Sequence, residues 1–212
     1  MQLTMKATFA AGVLPLLLAT FFGLLSARAF PLTEEESMCR NVSRCKAKVL
    51  AQIHCQIAQL NMSAHGLFTT YLDRQGEPFT NHPDKFCKAD KTFPAFDRTD
   101  SERNLLSLYK IFAFFNASLG NITRDQENLS TDDKEKEDLL RRLRNTTNMS
   151  RGLLANLTCL LCSRYKVHHV HVTYGNSSSS DIFQKKQYGC QVLKRYTEVI
   201  SDAAYTMGKC SR

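Results

Sequence analysis

Four long stretches of this chain carry apolar residues at three- and four-residue steps, and two of the three links between them are long enough to run the full length of a helix. Val49, Ile53, Ile57, Leu60, Ala64, Leu67, Phe68 and Tyr71 form the first stripe, which predicts a helix over about 46–72. Leu105, Leu108, Tyr109, Phe112, Phe115 and Leu119 form the second, after a Thr99-Asp100-Ser101-Glu102 start suited to an N-cap and before an end near Gly120. The third opens at Ser130-Thr131-Asp132-Asp133 and runs through Leu139, Leu140, Leu143, Leu153, Leu157 and Leu161, with a loosened stretch expected around 145–150. Phe183, Val192, Leu193, Tyr196, Val199, Ile200 and Ala203 mark the fourth, with Gly189 as its weak point. A 25-residue helix is about 37 Å long, so a parallel neighbour needs a link of at least about 11 extended residues. The links at 73–98 and 163–181 exceed that, whereas the middle link suits an antiparallel turn. The expected fold is all-α: an up-up-down-down four-helix bundle with two long crossover loops.

The first 29 residues read as a cleaved signal peptide. Lys6 precedes an apolar run at 7–25, and Ala27-Arg28-Ala29 supplies the small-x-small pattern of a cleavage site. The mature chain at 30–212 is then one secreted, extracellular domain, large enough for a full core. A membrane anchor is the competing reading of the run. Loss of Lys6 and Arg28 lowers the formal charge from +8 to +6. Clusters such as Arg141-Arg142-Leu143-Arg144 and Lys185-Lys186 suit either a solvated helix face or contact with acidic proteins or sulfated glycans. No aromatic residues interleave with them in a stacking pattern, so nucleic acid is not an expected partner.

Secretion makes the eight cysteines a disulfide framework first. Cys159 and Cys162 lie three apart at the end of the third helix, and Cys39 and Cys45 lie just before the first. In the expected topology those positions share one end of the bundle, where antiparallel nesting pairs Cys45 with Cys159 and Cys39 with Cys162. Cys87 in the first crossover would reach Cys190 in the fourth helix. Each such loop spans about 100 residues or more, worth up to about 4.7 kcal/mol in the chain-entropy model. Cys55 and Cys210 remain as a fourth bridge, two free thiols or a covalent dimer contact. Sequons at Asn41, Asn61, Asn116, Asn121, Asn128, Asn145, Asn148 and Asn176 suggest a glycosylated surface; a further one at Asn156 is expected to be little used.

Catalytic signatures are weak. Cys159-x-x-Cys162 could be half of a zinc or redox site, but its expected partners favour bridging. His168-His169-Val170-His171 could hold a metal, although one such triplet is a slight signal. There is no His-Glu-x-x-His, Gly-x-Ser-x-Gly or phosphate-cradling glycine loop. A non-enzymatic binding protein without cofactor or metal is expected, with a secreted metal-binding protein or enzyme as the alternative.

Several strings carry a family resemblance. They are Ala58-Gln59-Leu60-Asn61, Gln75-Gly76-Glu77-Pro78-Phe79, Asp84-Lys85 before Cys87, and the run from Ser118 to Gln126. Arg151-Gly152-Leu153-Leu154, Val172-Thr173-Tyr174-Gly175, Phe183-Gln184-Lys185-Lys186 and Gly189-Cys190-Gln191 complete the set. Across the mature chain they make it similar to the leukemia inhibitory factor type of long-chain cytokine in the interleukin-6 group, as a distant orthologue. The resemblance implies a monomeric growth-factor ligand that joins the leukemia inhibitory factor receptor to the shared signal-transducing receptor chain of the group. Its first-receptor motif, Phe-x-x-Lys, matches Phe183 and Lys186, with Lys185 beside it and Pro78 as a further contact. Periodicity alone would instead make Phe183 a core residue. The shared-receptor surface maps to Gln52, Cys55, Gln59, Gly152 and Asn156. There the chain departs from the family pattern, because Cys55 replaces a small polar residue and Asn156 begins a sequon.

Overall fold

The four stripes fold as four long helices, each about 40 Å in length. The structure, a computed structural model, describes residues 37–40, 42, 45, 47–88, 93–129, 134–174, 181–207 and 210. The expected leader at 1–29 and the sequons at Asn41 and Asn176 lie outside the described residues. The elements are α1 Val49–Gln75, a short α2 Pro83–Phe86 in the first crossover, α3 Ser101–Asn128, α4 Lys134–Leu160 and α5 Ile182–Met207. A five-residue π-helical turn, Leu161–Tyr165, extends α4. Helix α1 packs against α4 and α5, and α3 packs against the same two. The parallel helices α1 and α3 are therefore diagonal, every packed pair is antiparallel, and the bundle runs up-up-down-down.

The core is what the stripes supply. Ile53, Ile57, Leu60, Leu67 and Tyr71 of α1 are sealed against Leu108, Phe112, Phe115 and Leu119 of α3, with the leucines of α4 and Leu193, Tyr196 and Ile200 of α5. Helix α3 has the length and apolar content of a membrane span, but its apolar side is packed inside the bundle. Its start is fixed by Asp100, whose carboxylate accepts the Arg103 backbone N–H at 2.8 Å.

Three sequence expectations need correction. Helix α3 does not stop near Gly120 but continues to Asn128, because Ile122 is buried and Gln126 meets Gln75 in a buried side-chain hydrogen bond at 3.0 Å. Helix α4 is unbroken through 145–150: Thr146, Thr147 and Ser150 face inward, and the Thr147 hydroxyl donates to the Leu143 carbonyl at 2.9 Å. Gly189 is no weak point either. The Tyr71 ring of α1 lies directly against it, and a Cβ there would overlap the Tyr71 hydroxyl oxygen. That hydroxyl donates to the Lys186 carbonyl at 2.9 Å. The glycine admits a ring that a side chain would exclude.

Four disulfides staple the bundle. Cys39–Cys162 and Cys45–Cys159, each with Cα atoms 5.6 Å apart, bind the segment before α1 to the end of α4. Cys87–Cys190, at 4.9 Å, holds the first crossover on α5. Cys55–Cys210, at 4.4 Å, brings the chain's last cysteine onto α1. Among the described residues there is no free thiol.

The Tyr71 contact makes two effects measurable. Gly189→Ala should destabilise the protein by about 1–3 kcal/mol in urea unfolding, the usual cost of overpacking a core. Burial raises the Tyr71 phenol far above its ordinary range, with the Asp125 charge adding to it, and burial does the same to Tyr196. A phenol whose folded pKa exceeds its unfolded value of about 10 stabilises the fold fully below that pH and ceases to do so as pH rises further. Stability should therefore fall above about pH 10, with a gentler slope in Tyr71→Phe.

Candidate functional site

Helix α5 begins beside the end of α1, and three aromatic rings close that end of the bundle. Gly76 ends α1 with a left-handed φ of 69°, a conformation that glycine adopts without steric cost. Its carbonyl then accepts the Phe79 N–H at 3.0 Å, so the chain turns back at Pro78 and Phe79. Pro83 opens α2, and the Cys87–Cys190 bridge anchors the crossover just past that helix. Phe79 is buried, with Phe86 5.9 Å away and Phe183 5.4 Å away between ring centroids. Phe86 and Phe183 meet edge to face at 6.1 Å.

Phe183 is nevertheless 41% exposed. It rests one face on the crossover aromatics and offers the other to solvent, which separates it from the core residue that periodicity suggested. Pro78 precedes Phe79 directly and so stands next to this ring contact. Lys186 donates from Nζ to the Gln75 carbonyl at 3.4 Å, and Lys185 faces Asp125 of α3 at 3.6 Å. Phe183, Lys185, Lys186 and the Pro78 turn are thereby held at one end of the bundle by α1, α3 and the first crossover. The arrangement offers an apolar ring with cations beside it. Sequence reasoning missed Phe79 and Phe86, the bed for Phe183; two aromatics in a proline-containing link were the available signal.

The second candidate surface lies where α1 meets α4. Gln52 and Gln59 are exposed and bracket Cys55, which is half-buried and bonded to Cys210. Gly152 and Asn156 on α4 are not an open patch. Asn156 donates from Nδ2 to Gln56 Oε1 at 2.9 Å, and a Cβ at Gly152 would come within 3.1 Å of Gln56 Nε2. Gln56, which no sequence signal marked, is the side chain that those two residues seat. A glycan on Asn156 would grow from the nitrogen that makes this contact.

Each arginine of the 141–144 cluster has a carboxylate opposite it, two of them sharing one. Arg141 and Arg142 both pair with Asp138, the latter at 2.7 Å, and Arg144 pairs with Glu127 at 2.6 Å. The hydrogen bond from Arg142, and after it that from Arg141, holds the Asp138 carboxyl below its usual range. Among the described residues no cluster of three or more His, Cys, Asp or Glu is arranged to hold a metal.

At the opposite end, Leu50, His54, Asn104, Leu160, Arg164 and Tyr165 contribute to a cleft of about 230 Å³. The Asn104 side-chain oxygen is enclosed there and has no hydrogen-bond partner among the described residues. The cleft falls below the range of about 300–1,000 Å³ usual for small-molecule sites.

The remaining described sequons differ in access. Asn128, Asn145 and Asn148 are exposed, while Asn61, Asn116 and Asn121 are half-buried. Asn116 is the poorest acceptor, since its side-chain oxygen is enclosed and the Ser118 hydroxyl two residues on is engaged with Tyr188 at 3.2 Å. Glycopeptide mapping of protein from a glycosylating host should find glycan at Asn128, Asn145 and Asn148 and little at Asn116 or Asn156. Full occupancy at Asn156 would contradict the Gln56 contact.

The sequence model of the LIF / OSM family matches residues 48–207, from the residue capping α1 to the last residue of α5.

Proposed function

The chain belongs to the LIF / OSM family, and we propose that this cytokine of the interleukin-6 group is secreted and brings two receptor chains together. The first is the leukemia inhibitory factor receptor and the second is the signal-transducing chain shared across the group. Their approach activates the intracellular JAK/STAT pathway that controls growth and differentiation. In this reading residues 1–29 are the cleaved leader and residues 30–212 the active domain.

The exposure of Phe183 carries the assignment of the first receptor. An aromatic residue at the start of a helix normally turns inward when neighbours allow it, yet this one keeps 41% of its surface in solvent above a bed of two other rings. Half-buried aromatics beside a cation have the character of binding hot spots. Lys186 and Lys185 supply the cations, and Pro78 precedes Phe79, which the ring packs on. The shared chain is assigned to the α1/α4 face around Gln52, Cys55, Gln59, Gly152 and Asn156. The Cys55–Cys210 bridge alters that face by adding the chain end to it. The docked surface then includes the bridge, and Gln56 contributes through its contact with Asn156.

Binding to the ectodomain of the leukemia inhibitory factor receptor tests the first assignment. Phe183→Ala combined with Lys186→Ala should weaken it by about 2 kcal/mol or more, the loss typical of a hot spot, with helical circular dichroism unchanged. Equal binding by wild type and variant would move the site off this end of the bundle.

A further inference from the structure

Acidic residues are absent from two long segments of the chain, and the fold lays those segments side by side. No Asp or Glu occurs between Glu36 and Asp73, nor between Asp138 and Asp181. The first segment contains nearly all of α1 and the residues before it; the second contains most of α4, the π-helical turn and the stretch to residue 174. Helices α1 and α4 pack together, and Cys39–Cys162 and Cys45–Cys159 tie their adjoining ends. The Met38 N–H donates to the His168 carbonyl at 3.0 Å, continuing the union beyond the bridges.

Cations gather at that end. Lys48, Arg164 and Lys166 are exposed, and no carboxylate pairs with any of them among the described residues. The Arg164 guanidinium stands over the Tyr165 ring at 5.5 Å, which fixes its direction and leaves its charge uncancelled. Arg40 lies beside Cys39, and His168, His169 and His171 are exposed along the next stretch. Among the described residues the acids at this end lie on the other helix pair: Asp100 pairs with Arg103 and Asp202 with Arg98, while Glu102 is exposed at the start of α3; Glu34, Glu35 and Glu36, which precede Ser37 in sequence, lie outside the described residues.

Both lysines occupy backbone that favours another residue. Lys48 caps α1 with φ 68°, and Lys166 ends the π-helical turn with φ 59°. Those are the left-handed positions where Gly or Asn is relaxed and a long side chain is uncommon. The chain accepts that strain twice, and each time it sets a cation on the same rim. Strain of this kind points to a role outside the fold.

We propose that this rim, built from Lys48, Arg164 and Lys166 with Arg40 and the three histidines alongside, binds a sulfated glycosaminoglycan. The cations are spread along two disulfide-joined segments instead of ringing an aromatic anchor, which suits a linear polyanion making many separate contacts better than a globular acidic partner. The bridges hold the segments, so little ordering is needed on binding. This locates the sulfate-binding surface away from Arg141, Arg142, Arg144 and Lys185, whose charges have carboxylates opposite them.

The test is binding of the intact protein to a size-defined heparin oligosaccharide across about 0.05–0.3 M salt, the range over which such contacts weaken. No receptor is present, so the outcome is independent of the receptor assignments. Lys48→Asn, Arg164→Gln and Lys166→Asn combined keep residues that tolerate the two left-handed positions. The triple variant should bind at least about tenfold more weakly near 0.15 M salt, with a salt slope shallower by about two. Arg141→Gln with Arg144→Gln should change affinity by less than about twofold, as charges already paired have little to give. If the triple variant loses helicity, Arg164→Gln alone carries the test, with an expected loss of about threefold. Equal losses in the two variants, or equal binding of desulfated heparin, would overturn the proposal. So would a wild type that ignores heparin while the triple variant loses affinity for an acidic receptor ectodomain, an outcome assigning the rim to a protein partner.

Discussion

The hydroxyl of Tyr71 reaches from the end of α1 to the carbonyl of Lys186 in the first turns of α5, and that bond at 2.9 Å fixes the geometry on which the functional end depends. It exists because residue 189 has no side chain, so the ring can lie flush on α5. A wider separation of the two helices would strand a buried phenol, at a cost of about 1–3 kcal/mol. The same turn carries Phe183 and Lys186, and the Lys186 side chain returns to α1 at Gln75. Backbone and side chain of one lysine are thus held from two points on the facing helix. Surface residues that bind a partner profit from such support, because less freedom is lost on docking.

The opposite end is secured differently. Two disulfides join the entry to α1 with the exit from α4, and a third brings the chain end onto α1 at Cys55. The core is full without them, since all four helices bury continuous apolar stripes. The bridges add covalent ties to segments that meet the core at its edge, through Met38, Cys45 and Val167. They hold a stretch without regular structure close to the bundle, and with it the cations of the rim.

The stripes and link lengths made the bundle and its topology legible, because helical periodicity and chain reach are properties that one segment carries by itself. What a neighbouring helix does with a residue was not legible. Gly189 reads as a helix-weakening residue until the Tyr71 ring is seen against it, and Gly120 reads as a stop until Gln126 finds Gln75. Thr146, Thr147 and Ser150 look like a polar interruption but turn inward. In the candidate site the Phe183 and Lys186 pair came from a motif, while Phe79, Phe86 and Gln56 came only from three-dimensional contact. Charge showed the same blindness: the densest arginine run in sequence is the one that meets carboxylates of its own helix and of α3.

The two ends of the bundle therefore present opposite kinds of surface about 40 Å apart, the length of its helices. One displays an aromatic ring steadied by others, with lysines held beside it, which suits a desolvated contact with one protein partner. The other displays Lys48, Arg164 and Lys166, which no carboxylate among the described residues pairs with, on tethered segments, which suits contacts that stay hydrated and respond to salt. Lys48, Arg164 and Lys166 themselves lie about a helix length from Phe183. The α1/α4 face runs between them, and from Val49 to Leu72 and from Leu139 to Leu160 these helices carry no carboxylate to repel an extended polyanion. Under the proposed assignments, competition from a long polymer would fall on the partner placed at this face and not on the partner placed at Phe183.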